Sequence, residues 1–242
     1  MNMKIKKILK FIAGIISVIG VYLLIVGVWA SLSVNELLPK ASTNNERILL
    51  TEQQIETLLK IEDPTFYNHV GVDLSPGQGL TTITSSLARD IFLSGKKLEG
   101  VKGVFQSFYS AVFTCCKKFD FGRDVMALVL NKHLSKEKQF QLYISTVYMG
   151  QNNGKSVIGL SAAASAYFNK NLSDLSKEEF ITLVAMLDAP NYYHPVKGAE
   201  QLKSRVSKIK SVLSGACKPK NWFDTQYDHC NDKVDSAQGA LN

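Results

Sequence analysis

The chain is short of several residue patterns that would mark a function. Its four cysteines form no Cys-x-x-Cys pair and no His/Cys spacing suited to zinc. It carries no internal repeat, which sets aside an array of stacked units. Charged residues make up only 20% of the 242 residues and hydrophobic ones 45%, so most of the chain can bury a core and long disordered tracts are not expected. At roughly 150 residues per domain, the length allows one globular domain with an appendage and excludes a large multidomain machine. The formal charge is +7, with 28 Lys and Arg against 21 Asp and Glu. That balance admits nucleic acid, an anionic membrane surface or an anionic substrate as partner.

The placement of the charge decides among these. Phe11 to Ala30 is an uncharged run of 20 residues, long enough at about 1.5 Å per residue to cross a hydrocarbon core of about 30 Å. Lys4, Lys6, Lys7 and Lys10 precede it with no acidic residue, which orients the N-terminus toward the cytoplasm and the rest outside. Trp29 suits the outer interface. Val28-Trp29-Ala30 also has small residues that a signal peptidase accepts. The run exceeds the roughly 7–15 residues of a signal core, which favours an anchor. Removing the four lysines leaves +3 for residues 31–242, so most of the basicity concerns topology. Nucleic acid, on the far side of the membrane, is not the expected partner.

Adjacent Cys115 and Cys116 scarcely meet the geometry of an S–S bond. Cys217 and Cys230 either clip a polar tail, in a compartment that permits disulfides, or stay free. The stretches between the six prolines carry helical periodicity, so the fold class is mainly α. Thr51-Glu52-Gln53-Gln54 is a capping box that opens a helix up to Glu62, and Ser176-Lys177-Glu178-Glu179 opens another that ends before Pro190. Further helices are expected at 82–92, 124–133, 136–148, 160–167 and 201–213. Past Ser214 the periodicity fades. The aromatic, apolar segment 101–113, preceded by Lys96, Lys97 and Lys102, fits a core helix or an interfacial membrane contact equally well.

Two segments carry chemistry. Glu62 and Asp63 close an apolar helix, with His69 and Asp73 a short loop later. Crowded carboxylates repel and lose solvent, which raises their pKa and suits acid–base work, although a solvated helix end looks similar. The second segment runs from Gly77 to Asp90, with Thr81, Thr82, Thr84, Ser85 and Ser86 leading to Arg89. Free backbone N–H groups, hydroxyls and a cation at a helix start favour a phosphate, and a simple N-cap explains the same residues.

In order and wording these segments resemble glycosyltransferase family 51, the peptidoglycan glycosyltransferases. The family's E-D-x-x-F-x-x-H-x-G-x-D is met by Glu62, Asp63, Phe66, His69, Gly71 and Asp73. Its G-G-S-T-I-T-Q-Q-L-A-K-N is met at Gly79, Thr82, Ile83, Thr84, Leu87 and Ala88, with departures at Leu80, Ser85, Ser86 and Asp90. Residues 142–150, 159–168 and 183–195 are similar to later family segments, so the resemblance spans about 49–213. It implies a lysozyme-like helical lobe with a small membrane-associated jaw, behind one N-terminal transmembrane helix. The chain then divides into a basic N-terminus (1–10), an anchor (11–30), a glycosyltransferase-like domain (31–214) and a polar tail (215–242). No transpeptidase half is expected at this length.

The implied reaction polymerises lipid II, joining an acceptor 4-hydroxyl to a donor C1 and releasing undecaprenyl diphosphate with inversion. By the resemblance Glu62 is the general base, Asp63 and His69 shape the pocket, and Thr82, Thr84 and Arg89 meet the diphosphate. Implied partners are lipid II, the growing glycan strand, membrane lipid and cell-wall synthesis proteins. Any metal would be Mg2+ or Mn2+. The family's R-K-x-x-E motif is absent: its glutamate falls at Arg123 and its Arg-Lys pair at Phe119 and Asp120. Arg123 could replace a cation beside the diphosphate, and Asp120 or Asp124 could replace the acid. Gln141 and Ser145 stand where the family has Glu and Asn, and only Arg205 is near its last motif. The alternatives are a degenerate homologue that binds without turnover, and a hydrolase with Glu62 as acid.

Overall fold

The computed structural model describes residues 3–38, 48–78, 81–113 and 120–230. The fold is mainly α, with one two-stranded antiparallel sheet among the described residues. The chain divides into two compact units: Met1–Ser42, Val70–Val72 and Thr84–Leu134 form the first, and Thr43–His69, Asp73–Ile83 and Ser135–Asn242 the second.

The first unit is built on α1 (Met3–Leu37), which contains the expected span and continues past both its ends. Among the described residues it is the helix long and apolar enough to cross a membrane. Its N-terminal half is exposed on every side, including Ile8, Phe11, Ile16 and Val18. Beyond Tyr22 it becomes one-sided: Val26, Trp29, Ala30, Ser33, Val34 and Leu37 recur at helical spacing and are buried. They pack toward α4 (Gly100–Phe113) and α5 (Phe121–His133); at Gly27 an added Cβ would lie 3.3 Å from Val125. Trp29 is packed between Phe92 and Phe105 and donates its indole N–H to the Lys102 carbonyl at 3.0 Å.

Segment 101–113 has both expected characters at once. Its inner face holds buried Gln106, which donates to the carbonyls of Phe92 and Lys96 and accepts from the Leu98 amide, leaving no amide atom wasted. Its outer face exposes Val101, Val104, Phe108 and Val112 in one stripe. Residues 114–119, including Cys115, Cys116 and Phe119, lie outside the described residues.

The second unit packs α2 (Glu52–Glu62) and α9 (Ala199–Leu213) against α8 (Lys177–Met186). Every residue of α8 from Phe180 to Met186 except Thr182 is buried, so α8 is the unit's central helix. Both expected capping boxes form in full, at Thr51 and at Ser176. Helix α6 (Lys136–Thr146) stops earlier than expected, because Val147 is extended and Tyr148 opens β1 (Tyr148–Asn152). That strand pairs with β2 (Lys155–Ile158), a hairpin the sequence reading did not include, and α7 (Leu160–Phe168) follows. Past Leu213 the chain remains packed: Cys217, Tyr227 and Cys230 are buried, and Cys217 and Cys230 form a disulfide.

Candidate active site

The position of Glu62 follows from local rules. The Thr51 hydroxyl accepts from the Gln54 amide and the Gln54 side chain accepts from the Thr51 amide, which starts α2. Leu58 and Ile61 bury its inner face. Pro64 disfavours helical geometry at the residue before it, so α2 ends at Glu62 and Asp63 turns out of the helix at φ −161°.

Asp63 is fully buried and accepts from two donors. His69 Nε2 lies 3.0 and 3.1 Å from its two oxygens, and the Ile83 amide donates to Oδ2 at 2.9 Å. Successive turns bring His69 back, with Phe66 N donating to the Asp63 carbonyl and His69 N to the Thr65 carbonyl. Asp63 therefore ties the end of α2 to the start of α3 (Ile83–Arg89). The Ile83 amide, which the sequence reading offered to a phosphate, is taken by a carboxylate of the chain itself.

Glu62 is half-buried and accepts the Tyr143 hydroxyl at 3.2 Å. Burial, then the Asp188 charge, push its carboxyl up to about 7; Arg205 and the Tyr143 hydrogen bond oppose them, and Asp63 adds to the rise. A base with a pKa near 7 is half ionised at neutral pH and still strong enough to take a proton. Beside it, the Lys136 ammonium lies 4.5 Å over the Phe66 ring, and burial brings its pKa down to about 8 against the pull of Asp63. Asp73 is structural: despite some burial, hydrogen bonds from Thr65 and Ser75 and the Ser75 and Leu74 amides hold its carboxyl low.

Of the residues singled out from sequence, the structure joins Glu62, Asp63, His69 and the Thr82–Ile83 turn in the second unit. Thr84, Arg89 and Arg123 belong to the first unit. Thr84 is buried. Arg89 is half-exposed and paired with Asp90 at 2.9 Å. Arg123 is buried with Nη2 3.5 Å from Asp124, whose carboxyl is raised by burial. Asp120 caps α5 through the Arg123 amide and accepts the Tyr109 hydroxyl, which gives it a structural role. Gln141 makes two bonds to one residue, accepting from Ile48 N and donating to the Ile48 carbonyl, each at 3.1 Å. A glutamate there could not donate the second. Gly79 and Leu80 lie outside the described residues.

Sequence reasoning did not single out Tyr143, Asp188 or Lys136. Tyr143 and Asp188 stand inside segments that resemble the family and Lys136 just before one of them, but no local pattern connects any of the three to Glu62. Among the described residues, the three-residue grouping with metal-ligand spacing is Cys217, His229 and Cys230, whose sulfurs are bonded to each other. It is not an oxygen-rich set of the kind Mg2+ or Mn2+ takes.

Comparison with known proteins gives the same direction. The sequence pattern of the transglycosylase family matches residues 39–214. The chain is 29% identical over 187 residues to penicillin-binding protein 1B of Vibrio cholerae serotype O1, covering 69% of this chain and 22% of that protein. It is 29% identical over 177 residues to penicillin-binding protein 1F of Bacillus subtilis strain 168, covering 71% and 23%. It is 30% identical over 166 residues to penicillin-binding protein 1A of Neisseria gonorrhoeae, covering 63% and 18%. The chain thus spans about a fifth of the length of these relatives.

Proposed function

Because the chain belongs to the transglycosylase family, we propose that it is a membrane-anchored glycosyltransferase that polymerises lipid II into peptidoglycan strands. The observation that carries this reading is the Glu62 carboxyl at the end of α2, half-buried and hydrogen-bonded by Tyr143, beside a buried Asp63 that is bonded to His69 and the Ile83 amide. Glu62 takes the proton of the acceptor 4-hydroxyl as that oxygen attacks C1 of the donor. Undecaprenyl diphosphate leaves from the opposite face, which inverts the anomeric centre. Asp63 and His69 fix the geometry around Glu62, and Thr82, Thr84, Arg89 and Arg123 are proposed for the diphosphate. The helix α1 spans the membrane with its lysines in the cytoplasm, and the Val101–Val112 stripe of α4 rests in lipid. Purified full-length protein given lipid II in a membrane mimic forms glycan polymer, and Glu62→Gln forms none.

One observation favours a second reading. Arg123 stands where the family has a glutamate, is buried, and is paired with Asp124. A chain with that substitution could hold lipid II without turning it over. Lipid II binding that persists in Glu62→Gln, with no polymer from the intact protein, would support this reading; efficient polymerisation would end it.

A further inference from the structure

Residues 215–230 start where the family match ends, and they wrap back onto the second unit. At one end the Asn221 carbonyl accepts from the Gly77 amide, and Pro219 presses so close that a Cβ at Gly77 would lie 2.5 Å from it. At the other, Lys208 of α9 pairs with Asp228 at 2.6 Å. The Cys217–Cys230 disulfide closes this strap on itself.

Three consecutive strap residues hold the charges that face Glu62. The Thr225 carbonyl accepts from Arg205 Nη1 at 2.6 Å. The Gln226 amide donates to Asp188 Oδ2 at 2.6 Å and accepts from the Tyr193 hydroxyl at 2.8 Å. The Tyr227 ring lies 5.0 Å from the Arg205 guanidinium, which is buried with its Nε unpaired among the described residues. Asp188 is exposed, so Gln226 is what keeps its carboxylate in place. The charged and titratable groups facing Glu62 are then Asp63 beside it, Tyr143 on α6, Asp188 after α8, Arg205 on α9 and Tyr227 on the strap.

We propose that the strap is a positioning element of the active site: Thr225, Gln226 and Tyr227 fix Arg205 and Asp188 against Glu62, and the Cys217–Cys230 disulfide locks them there. The catalytic meaning of this rests on the proposed function. Reduction by a dithiol transfers two electrons to the Cys217–Cys230 bond, leaving two thiols while the reductant closes its own disulfide. The loosened strap releases the Gln226 hold on Asp188, so that its charge can move away from Glu62, which favours the ionised carboxylate. Release of Arg205 acts the other way and is the weaker influence.

The test titrates the Glu62 carboxyl directly by carbon NMR in the detergent-solubilised full chain, with its signal identified by loss in Glu62→Gln. Wild type before and after dithiol is compared with oxidised Gln226→Leu. The expected result is a midpoint lower by about one pH unit or more in reduced wild type and in Gln226→Leu, restored on reoxidation of the former. The acid limb of polymerisation moves with it. An unmoved midpoint in both overturns the strap as a positioning element. A shift in Gln226→Leu without one on reduction overturns the role given to the disulfide. The titration needs no lipid II, so absence of polymer from wild type would count against the proposed reaction alone.

Discussion

Tyr143 donates its hydroxyl to Glu62 Oε2 across 3.2 Å, joining the middle of α6 to the last residue of α2. This bond favours the ionised carboxylate and works against the burial that raises its pKa. Tyr143→Phe removes it without altering the ring. The Glu62 midpoint, near 7 in the intact chain, is expected to rise, and the acid limb of the polymerisation profile moves with it. Activity at pH 6.5–7 falls about two- to eightfold for a shift of about half to one unit, while the rate above pH 8.5 is nearly restored.

Glu62 weakens the fold that holds it. Its folded pKa of about 7 lies above its unfolded value of 4.5. The protonated form is therefore favoured by folding, a contribution fully present below pH 4.5 and lost as pH rises through 7. Glu62→Gln should melt higher than wild type at pH 8, by on the order of 2 kcal/mol, and equally with it at pH 4. Thermal melts of both proteins at the two pH values check this; equal melting at pH 8 would mean that folding does not raise the Glu62 pKa.

Asp63 accepts from an imidazole and a backbone amide in a fully buried place. Asp63→Leu keeps much of the shape but removes both acceptor oxygens, so the Ile83 amide loses its acceptor and His69 Nε2 its partner. An unsatisfied buried group costs about 1–3 kcal/mol. Chemical denaturation in detergent should show that loss, together with loss of polymer formation.

Gly122 lies where an added Cβ would stand 2.2 Å from the Tyr109 hydroxyl and 2.5 Å from that of Tyr22. Those hydroxyls are joined to each other at 3.2 Å, and Tyr109 donates to Asp120, the cap of α5. Gly122→Ala is expected to force this chain apart at a cost of about 1–3 kcal/mol. Faster amide hydrogen exchange at the start of α5 would report it.

Legibility from sequence differed element by element. The start and end of α2 were readable because they depend on neighbours: a hydroxyl three residues before a glutamine, and a proline after Asp63. The α8 capping box was readable for the same reason. The hairpin 148–158 was not, because its register is irregular between Tyr148 and Gln151 and it lacks strict alternation. Segment 101–113 stayed open because an amphipathic apolar helix reads alike in a core and at a surface; burial of Gln106 and Tyr109 against exposure of Val101 and Phe108 resolved its two faces. The tail was expected to be polar and aperiodic, and its packing comes from single long-range contacts that leave no periodic trace.

The sequence by itself determined a mainly α chain with one apolar helix of membrane-spanning length, and it placed Glu62, Asp63 and His69 within one turn-rich stretch, since helix periods, caps and proline stops act over a few residues. It did not determine what surrounds Glu62. Asp188, Arg205 and Tyr227 are distant in the chain, and their effect depends on burial and on the field of each charge at the carboxylate. Only the packing of α2 on α8 and α9, with single contacts from Thr225, Gln226 and Tyr227 to Arg205 and Asp188, gathers these distant groups in one unit, and no local pattern encodes such contacts.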